Sequence, residues 1–172
     1  MRPKLSYCIM GFFMTFMSLA CSTTKYAWKS EPQHQRLSNA DFDAEITPLC
    51  DQEGCQSFQL SVWNKTDHKI EIDWTHTIYI TDGVKAGGFM VQGASFQRRN
   101  RPEPPDVIPP HFSRSHTIWP STLAYSARGQ IGGWKHGIMS RGENGVYLSL
   151  KVSEKEVGER LTVMLSVVEL PE

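Results

Sequence analysis

The side chains able to do chemistry are thinly spread along this chain of 172 residues. Asp41, Asp43 and Glu45 alternate with Phe42, Ala44 and Ile46, so they would line one face of an extended strand about 7 Å apart in succession. Three carboxylates in a row are a start on a calcium site. Calcium takes about six to eight oxygens, however, and a solvated strand face is the plainer expectation. Glu71 and Asp73 repeat the pattern beside Ile70 and Ile72. A general-acid pair needs an enclosed cleft to separate its pKa values, whereas this alternation places both groups on an outer sheet face. The six histidines are scattered, and the nearest pair of interest, His111 and His116, falls on opposite faces of a strand. Gly87, Gly88, Gly93, Gly129, Gly132 and Gly133 lack the spacing and the following Lys-Ser/Thr of a phosphate loop. No Gly-x-Ser-x-Gly nucleophile elbow occurs. The expectation is a non-enzymatic chain with no metal and no cofactor.

Two groups of residues stand out instead. Cys50 and Cys55 lie in PLCDQEGCQ. Their spacing is wider than that of a redox pair, and no further metal ligands sit at fitting distances. A structural disulfide follows, worth about 2 kcal/mol by loop closure. The second group lies in residues 83–145, which hold ten of the 13 glycines and six of the ten prolines. Arg98, Arg99 and Arg101 precede a proline run from Pro102 to Pro110, and Trp119, Trp134, Lys135 and His136 follow it. Arginine and tryptophan are the types most enriched at binding hot spots, and long loops on a rigid scaffold are where binding resides. The bland alternative is that the tryptophans pack back over an open end of the domain while the arginines pair with Glu103 and Asp106.

The elements that must position these residues read as strands. Phe42, Ala44 and Ile46 share one parity, as do Phe58, Leu60 and Val62. Ile70, Ile72, Trp74, Ile78 and Ile80 share another, over a length that predicts a break near Thr75-His76. Val146, Leu148, Leu150 and Val152 face Leu161, Val163, Leu165 and Val167 in a β-hairpin, with residues 153–160 as a charged loop. In the middle of the chain only Phe89-Met90-Val91 and the run from Phe112 to Trp119 look strand-like, because proline at this density excludes a central strand. No sustained 3.6-residue apolar stripe follows residue 20. The expectation is an all-β sandwich over residues 39–169, with long loops in the middle of the chain.

The first 20 residues differ from all of this. Arg2 and Lys4 precede an uncharged, mostly apolar stretch ending at Ala20, the layout of a secretory signal peptide and shorter than a spanning helix needs. Ser18-Leu19-Ala20-Cys21 fits an ordinary signal-peptidase site. It also resembles the lipobox of bacterial lipoproteins, with Ser18 where that family prefers Leu. The resemblance implies cleavage before Cys21 and acylation of its sulfur and amino group, and with Ser22 next to it, an outer-membrane address facing the periplasm. Cysteine parity agrees: Cys8 leaves with the leader, and acylated Cys21 leaves Cys50 and Cys55 as a pair in an oxidising compartment. Residues 21–38 then read as the lipid-bearing cysteine and a flexible tether, with Tyr26 and Trp28 resting in the headgroups or on the domain, or serving as a short docking motif.

Without the leader the chain carries 16 basic and 18 acidic side chains, a formal charge of −2. That is no electrostatic footprint for nucleic acid. The domain loosely resembles the immunoglobulin-like sandwiches of small bacterial lipoproteins, which implies about seven strands and a membrane-anchored binding or accessory role toward an envelope protein or other envelope component. The rivals are a small envelope hydrolase, for example acting on glycans, and a structural spacer. A pocket joining carboxylates to each other or to His116 or His136 would favour the hydrolase, and two buried tryptophans would favour the spacer.

Overall fold

The computed structural model describes residues 25–99, 101, 103–127 and 134–170. The leader and Cys21 lie outside the described residues. The described residues form fourteen strands, all paired antiparallel, and contain no helix beyond two single 3-10 turns at Phe96–Arg98 and Ser121–Leu123. None is long and apolar enough to cross a membrane.

The alternation read from the sequence becomes two facing sheets. In the first, β1 (Tyr26–Glu31), β14 (Lys155–Glu169) and β13 (Gly142–Val152) lie side by side. The far edge of β13 is shared by β5 (Ile70–Ile72), which continues to β9 (Asp106–Ile108), and by β6 (Ile78–Thr81), which continues to β7 (Val84–Gly87). The second sheet runs in the order β2 (Gln35–Ser38), β3 (Phe42–Cys50), β4 (Cys55–Asn64), β10 (Ser113–Pro120) and β8 (Phe89–Val91). Phe42, Ala44, Ile46, Phe58, Leu60 and Val62 of one sheet and Ile70, Ile72, Val146, Leu148, Leu150, Leu161 and Val163 of the other form a single buried cluster. This is an all-β sandwich, with the charged partners of each alternating pair turned outward.

Several expectations are revised. The strands number fourteen rather than about seven, because short pieces in the middle of the chain pair at sheet edges. Asp106–Ile108 fits between Pro105 and Pro109 as such an edge strand, where proline's missing donor faces no partner. Residues 26–38 are not a tether. Trp28 and Leu37 pack against the core, and the chain passes from the first sheet to the second between Glu31 and Gln35. The charged loop expected over 153–160 contracts to a two-residue turn, Ser153-Glu154, with φ of 46° and 70°, the positive values of a type I′ hairpin. The predicted break falls at Asp73–Thr77, where Asp73 accepts from the Thr75 and His76 amides. It also flips the parity, so Thr77 and Tyr79 are buried while Ile78 is only partly so.

The disulfide Cys50–Cys55 closes the tip of the β3–β4 hairpin. Asp51 Oδ1 accepts the amides of Glu53 and Gly54, and Gly54 is needed because a Cβ there would collide with Ile138. The described ends of β1 and β14 lie at this same end of the sandwich, and the Ser153-Glu154 turn and Asn64 lie at the other. Asn64 is buried and donates to the carbonyls of His68, Ile108 and Pro109, tying the turn after β4 to the end of β9 at that far end.

Candidate functional site

The loops of the middle segment fold over the outer face of the second sheet, near the disulfide end. In β10, Ile118 points into the core and Trp119 points out, its register partner being Met90 of β8. A short ribbon of β11 (Ala124–Ser126) and β12 (Trp134–His136) lies alongside. Alternation within β12 turns Trp134 and His136 to one side and leaves Lys135 exposed on the other.

Four aromatic rings meet there. The His136 imidazole stacks on Trp119 with centroids 4.7 Å apart and meets Trp134 edge to face at 4.0 Å. Trp119 and Trp134 stand 6.4 Å apart, and Phe96 stacks on the outer side of Trp134 at 6.3 Å. Arg99 places its guanidinium 4.2 Å from the Phe96 centroid, a cation–π contact at the rim. All four rings are partly exposed and none belongs to the core cluster. His136 Nδ1 is buried with no hydrogen-bond partner among the described residues. Burial holds this imidazole down at about 4, so it is neutral at ordinary pH. Trp119 also borders a shallow hollow of about 370 Å³ shared with Pro48, Leu49, Cys50 and Asp51.

The structure therefore brings together Arg99, Trp119, Trp134 and His136 of the expected contact residues. Arg98 turns away to Glu103, 3.7 Å distant, as the bland alternative had it. Arg101 is exposed, its amide donating to the Arg98 carbonyl, and Lys135 is exposed. Phe96 was not singled out from the sequence. Its single signal is its place two residues before the arginines.

A second arrangement lies on the other side of that loop. His116 Nε2 pairs with Asp106 Oδ2, and Arg114 approaches the other oxygen at 4.0 Å. Trp74 meets the His116 ring edge to face at 5.5 Å. Asp106, His116 and Trp74, together with Glu103, Arg98 and Ser95, line a groove of about 530 Å³. A His–carboxylate pair can move a proton or orient a ligand, but this groove is broad and open. No nucleophilic side chain among the described residues bonds to the remaining imidazole nitrogen.

The other carboxylate rows are engaged by cations. Glu45 takes Arg36 at 2.5 Å, Asp43 takes Lys65 at 2.5 Å, and Glu71 takes Lys69 at 2.6 Å. Asp73 bonds His76 at 2.6 Å and caps its own turn, and His111 bonds Asp67 at 2.8 Å. The hollow of about 480 Å³ at the far end, between Lys69, Glu71, Lys151 and Glu154, is lined by cations and anions already paired. Comparison of the chain with protein-family models, with curated proteins and with solved structures finds no match.

Proposed function

We propose that this chain is an exported lipoprotein of the bacterial cell envelope, acylated at Cys21, whose sandwich is a non-catalytic module that binds an envelope component through the aromatic patch. The leader, the Ser18-Leu19-Ala20-Cys21 junction and the cysteine parity support the anchor. The observation that carries the binding reading is the patch itself. Phe96, Trp119, Trp134 and His136 come from three separate segments and converge outside the core, partly exposed, with Arg99 at the rim. A fold that merely spaced two partners would have no use for four aromatic rings gathered outside its core.

The anchor is tested by intact-mass measurement of the mature protein, where a lipid-sized increment on the Cys21 peptide is expected and a free thiol or an uncleaved leader overturns it. The patch is tested by Trp119→Ala and Trp134→Ala, checked for folding by thermal melt and then for retention of whatever crosslinks to the parent in cells. Removing a hot-spot Trp costs about 2 kcal/mol or more, roughly thirtyfold in affinity. Two folded variants that bind like the parent would place the contact elsewhere.

The Asp106–His116 pair supports a second reading, a small envelope hydrolase working in the groove beside Glu103. Asp106→Asn should then abolish hydrolysis of cell-wall glycan fragments while the fold persists. No hydrolysis by the parent protein ends that reading.

A further inference from the structure

The end of the sandwich where β1 begins carries several exposed apolar side chains, as the opposite end does with Trp63 and Phe112. Tyr26 opens β1 and is 60% exposed, and it pairs with Glu169 of β14. Val168 and Leu170 are exposed beside it, with the Leu170 amide donating to the Lys25 carbonyl at 2.8 Å. Leu49, next to the disulfide at the tip of β3, and Ile138, which lies against Gly54, are exposed at the same end. Both groups lie at the same end of the sandwich, because the start of β1, the end of β14 and the β3–β4 tip share it.

We infer that this end is a membrane-contact surface: Tyr26, Val168, Leu170, Leu49 and Ile138 rest on the lipid bilayer and set the domain's orientation on it. The inference rests on acylation of Cys21. Four residues separate that cysteine from Tyr26. Fully extended, the five steps from Cα to Cα reach no more than about 18 Å. β14, by contrast, runs for 15 residues, about 50 Å at ordinary strand rise. The strand pairing from Tyr26 onward removes the slack that a longer tether would have supplied. The start of β1 at Tyr26 must therefore stay within about 18 Å, Cα to Cα, of the lipid-bearing cysteine, while the far end can stand well clear. Tyrosine and aliphatic side chains suit the boundary between headgroups and acyl chains. The surface charges nearby are mixed, with Lys25 and Lys29 offset by Glu31, Glu53 and Glu169. The contact is accordingly apolar rather than electrostatic.

One consequence concerns the aromatic patch. It lies toward this same end, so the domain would hold it close to the headgroups, facing along the membrane rather than out into the periplasm.

The test uses the full acylated protein in vesicles of phosphatidylethanolamine and phosphatidylglycerol. Nitroxide labels are placed at Tyr26→Cys, Leu170→Cys and Phe112→Cys, the last exposed at the opposite end. Collision with oxygen and with a water-soluble nickel chelate is read by power saturation, each variant first passing a thermal melt. At positions 26 and 170 the oxygen-to-nickel ratio should rise on reconstitution, while at 112 it should keep its solution value. Equal ratios at all three positions would overturn the inference, since the domain would then stand off the bilayer. Exclusion of both reagents at 26 and 170 would also overturn it, because a protein and not lipid would cover that end. Intact mass separates the failures: an unacylated Cys21 defeats the anchor and the inference together, whereas an acylated one with equal ratios defeats the inference alone.

Discussion

Lowering the pH should destabilise this domain through His136, and His136→Phe should remove that part of the dependence. The phenyl ring keeps the stack on Trp119 and cannot titrate. In the unfolded chain the imidazole takes a proton near its ordinary 6.5, while in the folded chain burial delays this to about 4. Between those values the unfolded state holds more protons, so stability rises with pH across the window, is flat above it, and has lost the full contribution below about 4. A depression from 6.5 to about 4 corresponds to at most about 3 kcal/mol. Water reaches part of the ring, and attraction of the imidazolium to the Trp119 face opposes burial by about 0.5–1 kcal/mol. A net effect of about 1–2 kcal/mol remains, or about 2–8 °C in Tm for a domain of this size. The assay is Tm against pH from 7.5 to 4.5. Exposed His76 has its pKa raised by Asp73 and contributes in the opposite sense, stabilising below its unfolded value and fading as pH rises through its folded one. It does so in both proteins and cancels in the comparison. The lowered carboxylates of Asp43, Asp73 and Glu154 begin to lose their contribution only as pH falls toward their ordinary values of 3.8 to 4.5, at the acid edge of this window, and they too cancel in the comparison. Parallel profiles for parent and variant would refute the reasoning, and a steeper variant profile would mean that the indole faces outweigh burial.

Replacing Cys50 and Cys55 together by Ser should lower stability by about 2 kcal/mol, the loop-closure value for so short a staple, and a reducing agent should shift the parent's melt by the same amount and leave the variant's unchanged. Asn64→Ala removes the amide that donates to the buried Ile108 carbonyl, while the His68 and Pro109 carbonyls keep the Thr66 hydroxyl and the Phe112 amide; a loss of about 1–3 kcal/mol in urea unfolding is expected, and an unchanged midpoint would show that water replaces the amide. Gly145→Ala and Gly158→Ala should differ sharply. At Gly145 a Cβ would strike the Leu161 carbonyl and the Thr162 backbone across the β13–β14 pair, costing about 3 kcal/mol, whereas at Gly158 it would meet only the swinging end of Tyr147, costing under about 1 kcal/mol.

The parts of the fold that could be read in advance are those where burial alone chooses the residue type. Phe42-Ala44-Ile46, Phe58-Leu60-Val62 and the β13–β14 hairpin each bury one parity and wet the other, so their faces followed directly from alternation. What was missed lies where a local backbone choice outvotes that pattern. Ser153-Glu154 adopts positive φ at both positions without the glycine or asparagine that advertises such a turn, so its charged flanks looked like a long loop. Asp82-Gly83 does carry the advertisement, with φ of 46° and 77°, and joins β6 to β7. That dipeptide was legible and would have recovered one of the additional strands. The parity of Ile78 failed because the Asp73 turn inserts a reversal of face that no count of apolar residues can show.

The candidate site was legible in composition and opaque in geometry, for a physical reason. Strand alternation fixes which side of a sheet a residue occupies but not what covers that side. Trp119 was bound to be outward once Ile118 was inward. Nothing in its neighbours said that Trp134 and His136 would return over it from 15 and 17 residues further on. The burial of His136 follows from that return, and so does the separation of the three arginines. Arg99 is held over Phe96 and Arg98 is drawn to Glu103, although the two are adjacent in sequence. Arg98 ends the 3-10 turn and Arg99 follows it, and successive residues there project in different directions, so a cluster of like residues in sequence is not a cluster on a surface. Any function assigned to this patch therefore belongs to Arg99 with the four rings. Arg98 belongs instead to the rim of the groove that holds the Asp106–His116 pair. A variant at Arg98 and one at Arg99 thus report on two different sites, a distinction that a charge count across residues 98–101 would erase.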